Sequence, residues 1–133
     1  MWVAARVGPA AGFTLPAGRI MAACLAVAGV IIALLGVVSF RRAKTTVNPL
    51  DPAAASALVV SGIYQLTRNP MYLGLLLVLL GWALFLANAL TFVFPVAFVF
   101  LMNRLQIIPE EKALAALFGP GFADYQSKVR RWL

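Results

Sequence analysis

Two short stretches hold the side chains best suited to chemistry. Glu110 and Glu111 are adjacent, and Asn103 and Arg104 precede them by seven residues each. Seven residues on a straight α-helix fall about 20° short of two full turns. The spacing therefore predicts Arg104 in line with Glu111, and Asn103 in line with Glu110. The chain has 4 acidic residues, and two placed side by side repel each other unless a cation stands close. Arg104, Arg68 or a positively charged ligand would supply one. The same residues also suit a plain structural role, with Arg104 snorkelling to a membrane surface and the acids favouring a helix start. Spacing alone leaves both readings open.

The second stretch is "TRNPMYLG", residues 67–74. Asn69 precedes a proline and so is expected to be extended, while Pro70 suits the first turn of a helix. The first N–H groups of that helix have no partners within it and can receive an anion or carboxylate, with Arg68 beside them. Tyr64 and Tyr72 add hydroxyl and ring contacts. The competing reading is a well-made helix start with interfacial tyrosines.

The elements that must position these residues follow from composition. Of 133 residues, 63% are hydrophobic and 11% charged, against about 25% charged in soluble domains, and mean hydropathy is +0.95. So little polar surface predicts an integral membrane protein: one all-α domain over 1–133, a polytopic helical bundle. The net charge is +7. Its basic residues flank apolar segments, which predicts a collar at one membrane face and no nucleic-acid partner. Cys24 is the sole cysteine and histidine is absent, so neither a disulfide framework nor a metal site is expected.

About three transmembrane helices are expected. Residues 1–16, broken by Gly8, Pro9, Gly12 and Pro16, are too short to span and should cap the bundle or lie at the interface. The first span covers about 20–40, with Gly29 and Gly36 on one face for close helix approach. An interfacial connector follows over 45–70, opened by Pro49 and Pro52. Met71 to Met102 is an uncharged run of 32 residues, about 48 Å as one helix against a hydrocarbon core of about 30 Å. Two spans, 71–88 and 89–108, with a turn near Asn88, fit better; Pro95 would kink the second. Residues 109–133 should form a cytoplasmic amphipathic tail, with a helix opened by Pro109, a break at Gly119-Pro120-Gly121, and a basic end lying on the membrane. Nine of the 11 Lys and Arg residues then share one face. The positive-inside rule places that face and the carboxyl terminus in the cytoplasm, with the amino terminus outside. A bacterial inner membrane is the expected location.

The residues also carry a resemblance. "SGIYQLTRNPMYLG", with Thr45-Thr46-Val47 and Pro49 ahead of it, resembles the signature of the integral-membrane methyltransferases, which include the isoprenylcysteine carboxyl methyltransferases and the phospholipid methyltransferases. "NRLQIIPEEKALAALFGPGFADYQSKVRRW" is similar to their Arg…Glu-Glu…Phe-Gly…Tyr…Val-x-Arg-Trp pattern. The resemblance covers about 45–132. It implies methyl transfer from S-adenosylmethionine to a lipophilic acceptor entering from the bilayer. Tyr64, Arg68, Asn69, Pro70, Met71, Tyr72 and Gly74 would then form one wall of the cofactor pocket, and Glu110 and Glu111 the other. Arg104 and Glu111 are the candidate catalytic pair, the arginine for a substrate carboxylate or phosphate and the acid for a proton. Phe122 departs from the family's frequent tyrosine. Many relatives have a further amino-terminal span that residues 1–16 are too short to supply, so a homodimer could provide that helix. An NADPH-dependent reductase of the sterol-reductase type shares an Asn-Pro-x-Tyr element, and a non-catalytic membrane scaffold would keep the fold alone; Glu-Glu followed by Phe-Gly favours the transferase.

Overall fold

In the computed structural model, residues 1–44 and 55–133 are described. Thr45, Thr46, Val47, Pro49 and Pro52 of the expected signature and connector lie outside them. Helix α1 (Trp2–Val7) and a 3-10 turn (Pro9–Ala11) precede the long helix α2 (Gly18–Arg42). A 3-10 turn at Gly62–Gln65 leads into α3 (Pro70–Leu86). The chain then reverses through a 3-10 turn (Ala89–Phe92) into α4 (Val93–Met102), a π-helical turn (Asn103–Ile107), α5 (Ile108–Phe118) and α6 (Pro120–Lys128).

The all-helical membrane bundle expected from composition is the one observed. Helix α2 and the continuous helix Ala89–Phe118 are each long and apolar enough to cross a bilayer, and α3 is a shorter apolar helix of 17 residues. Ile20, Val27, Ile31 and Leu34 on α2, with Val96 and Phe100 on α4, are exposed. In water such a surface would drive aggregation; against lipid tails it costs nothing. The hairpin turn falls where Asn88 predicted it. Ala87 takes a left-handed conformation, and the Asn88 side chain accepts a hydrogen bond from the Leu90 amide (3.0 Å). Asn88 Nδ2 also donates to the carbonyls of Ala5 (3.3 Å) and Gly8 (2.8 Å), so the amino-terminal segment caps this end of the bundle.

Small residues set the spacing of α2 and α3, which run antiparallel. A Cβ added to Gly29 would lie 2.5 Å from the Gly74 carbonyl, and one added to Gly81 would lie 2.7 Å from the carbonyl of Ala22. One at Gly36 would press on Met71 and Pro70, at 2.9 and 3.2 Å. Close backbone approach through such residues gives packing contact and is a main source of helix association in lipid. Gly74, expected at the pocket wall, is instead part of this seam, against Gly29 and Ala33. Pro70 is likewise fully buried and packs toward Gly36.

Pro109 does not start a new helix. Its missing N–H and its ring would disrupt an α-helix passing through Leu105, four residues earlier. The π-helical turn at Asn103–Ile107 widens the helix just there, and the chain runs on unbroken from α4 into α5. At 1.5 Å per residue the 30 residues of Ala89–Phe118 extend about 45 Å, some 15 Å beyond a hydrocarbon core.

Candidate functional site

One pocket collects most of the polar residues singled out above. It lies where the end of α2, the connector, the start of α3 and the α5–α6 arm converge. Tyr64, Arg68, Asn69, Met71, Tyr72, Glu110 and Glu111 line it, and Phe40, Ile107, Leu114, Phe122 and Tyr125 complete the walls. Pro70 and Gly74 do not line it, being committed to the helix seam.

Arg104 is not in the pocket. It is exposed, and Glu111 pairs with other cations. The reason is the π-helical turn, whose extra residue rotates the downstream helix by about 100° relative to a straight one. The expected alignments of Arg104 with Glu111 and of Asn103 with Glu110 are thereby lost. Asn103 instead accepts a hydrogen bond from the Trp132 indole N–H (3.2 Å).

Glu111 is held by two arginines. Arg131 donates Nε to Oε1 (3.1 Å) and Nη2 to Oε2 (2.6 Å), a two-pronged grip. Arg68 Nη1 stands 3.0 Å from Oε1. That approach is close in distance but poorly aligned, since Arg68 Nε and Nη1 are buried and make no hydrogen bond among the described residues. Glu110 has no ion-pair partner among the described residues. Its Oε2 is 3.5 Å from the Tyr72 hydroxyl, a weak contact. The two acids, alike in sequence, therefore differ: Glu111 is spent within the protein and Glu110 is not.

The carboxyl-terminal segment builds part of the site, which sequence spacing could not show. The carbonyl of Arg131 accepts hydrogen bonds from Thr67 Oγ1 (3.3 Å) and Asn69 Nδ2 (2.9 Å), and the Arg130 carbonyl accepts from the Arg68 amide (3.0 Å). Residues 67–69 are thus clasped from a point more than 60 positions away. The tail is amphipathic, as expected, and protein covers its apolar face. Phe122, Tyr125 and Val129 pack with Val59 and Tyr64 in a buried cluster, with Phe40 alongside.

Burial perturbs the tyrosines of that cluster. The Tyr64 hydroxyl is pushed well above its ordinary value, first by burial and then by the negative charge of Glu110. Tyr125 donates its hydroxyl proton to the Tyr64 carbonyl (2.7 Å). Burial pushes its pKa from 10.0 up to about 12, with Arg68 pulling the other way. A folded-state pKa raised in this sense contributes stability that is complete below the unfolded value and lost as pH climbs through the folded one. Thermal unfolding in detergent should accordingly show a falling midpoint as pH rises from about 10 to about 12. The fall should be smaller in Tyr125→Phe, and an identical pH profile for the two would refute the assignment.

A family model described as phospholipid methyltransferase matches residues 17–121. A Haemophilus influenzae protein, named only as uncharacterized, is 46% identical over 63 residues, 47% of this chain and 100% of that one. Two rice proteins, from Oryza sativa subspecies indica and japonica, are each named as a probable protein-S-isoprenylcysteine O-methyltransferase. Each is 31% identical over 112 residues, 82% of this chain and 57% of theirs. The chain thus matches somewhat over half the length of the rice relatives. No solved structure matches.

Proposed function

Because the chain belongs to the phospholipid methyltransferase family, we propose that it transfers a methyl group from S-adenosylmethionine to a lipophilic acceptor that reaches the pocket from the bilayer. The observation that carries this reading is the presence, in one aromatic pocket, of unused arginine N–H donors and an acid outside any ion pair among the described residues. Arg68 offers buried N–H donors, and Glu110 a carboxylate without an ion-pair partner among the described residues. S-adenosylmethionine has the complementary groups, a carboxylate together with an ammonium and a sulfonium. When bound, it supplies a methyl group made electrophilic by the sulfonium.

The chain's own contribution is alignment. Arg68 holds the carboxylate, and Glu110 faces the cationic groups. The rings of Tyr64, Tyr72, Phe122 and Tyr125 exclude water and present π-faces to positive charge. Fixing an acceptor in line with a reacting carbon removes a large entropic part of the barrier. Arg104, exposed in the π-helical turn after α4, would meet a phosphate or carboxylate on the acceptor rather than the cofactor. The basic end of α2, the Arg68 segment and the tail gather at one face, which the positive-inside rule assigns to the cytoplasm. This reading puts the protein in a bacterial inner membrane with its amino terminus outside; a second copy of the chain is the proposed source of any further helix.

Calorimetric titration of the detergent-solubilised protein tests the proposal with S-adenosylmethionine and, separately, NADPH. Binding of the first and not the second is expected. Glu110→Gln should weaken S-adenosylmethionine binding about tenfold, the worth of one charge-assisted contact, without lowering the unfolding midpoint. Binding of NADPH alone would overturn the proposal in favour of a reductase.

A further inference from the structure

Arg131 does not line the pocket, yet its carbonyl and its guanidinium both act on residues that do. The carbonyl fastens Thr67 and Asn69, on either side of Arg68, and the guanidinium grips both oxygens of Glu111. Glu111 is also the carboxylate paired with Arg68 among the described residues, at 3.0 Å. A carboxylate so placed and otherwise unoccupied would rotate to take Arg68's N–H groups squarely, because a charge-assisted bond favours linear geometry. In the structure it does not, and Arg68 Nε and Nη1 remain without hydrogen bonds among the described residues.

We infer that Arg131 is a positioning residue: by occupying Glu111 it keeps the N–H donors of Arg68 free for an anionic group of the ligand. The inference rests on the proposed function and extends it to a residue of the carboxyl-terminal tail. Glu111 then stands beside Arg68 at ion-pair distance, while Arg131 prevents the two from closing on each other. Removing the Arg131 guanidinium should turn Glu111 from a support into a competitor.

The test compares two probes, S-adenosylmethionine and decarboxylated S-adenosylmethionine, by calorimetry on the full chain in detergent. Arg131→Ala should weaken the first about tenfold, the scale of a lost charge-assisted hydrogen bond, and leave the second within about twofold. Adding Glu111→Gln to Arg131→Ala removes the competing charge and should restore much of the lost affinity. Arg131→Lys, which keeps the charge but not the fork, should fall between. Circular dichroism and the unfolding midpoint establish that each variant is folded, and the lysine variant serves if the alanine variant is not. Equal loss for both probes, or no loss for either, would overturn the inference while leaving the proposed function standing. A wild-type protein that binds neither probe would sink both.

Discussion

Glu111→Ala should lower the stability of this protein by about 3 kcal/mol, at the low end for breaking a buried ion pair. The Glu111 side chain is 16% exposed and that of Arg68 13%, so removing the acid leaves Arg68 charged, buried and uncompensated. Arg131, at 35% exposure, can turn to water, which limits the cost. The loss also releases the grip that ties the tail to α5. In detergent the unfolding midpoint should fall by about 10 °C. Asp124→Asn is the internal control. Its partner Lys128 is four residues along the same helix, and both side chains are about two-thirds exposed, at 64% and 67%. Such a pair contributes less than about 1 kcal/mol, so the midpoint should barely move. A Glu111→Ala protein as stable as wild type would show that the two arginines do not depend on this carboxylate. The expected destabilisation means that lost cofactor binding in Glu111→Ala would not by itself show a lost contact, since Glu110 is the acid without an ion pair among the described residues.

Gly74→Leu should be at least as damaging, for a reason unrelated to charge. A Cβ at this position already meets the Ala33 Cβ and amide nitrogen at 2.8 Å, with the Gly29 carbonyl closer still. Neither obstacle is a flexible side-chain end, so α2 and α3 must separate along their length. Overpacking usually costs about 1–3 kcal/mol; a clash with backbone on the facing helix belongs at the top of that range or above it. Gly74→Ala should give a smaller loss of the same kind. Gly121→Ala should be neutral or stabilising, because nothing lies within 4 Å of its added Cβ and alanine is the better helix former. Unfolding midpoints of the three variants check the order, and an undisturbed Gly74→Leu would rule out the seam.

The seam glycines show how legibility varied along the chain. Gly29 and Gly36 lie seven apart in one apolar span, so a shared helix face could be read from periodicity. Gly74 sits in a motif from which Arg68, Asn69, Met71 and Tyr72 reach the pocket, and its place there suggested a pocket role. Which side of α3 it occupies depended on how that helix packs against α2. Arg104 failed for a local reason. Its alignment with Glu111 assumed a straight helix, and Pro109 made that impossible without a wider turn. The proline was a visible warning; the size and direction of the adjustment were not.

Hydropathy and charge determined that the chain is a helical membrane protein, where its hairpin turns and at which end its basic residues gather. Those properties follow from transfer free energies, which act residue by residue and need no knowledge of neighbours. Motif content brought the Arg68 segment and the Glu110–Glu111 pair to attention. Tertiary structure alone decided which acid is free. Glu110 and Glu111 are equivalent as letters, and what separates them is Arg131, 20 positions further on, brought back against residues 67–69 by the fold. Electrostatic pairing depends on distance and orientation in space, and an interaction that closes so long a loop leaves no periodic trace along the chain.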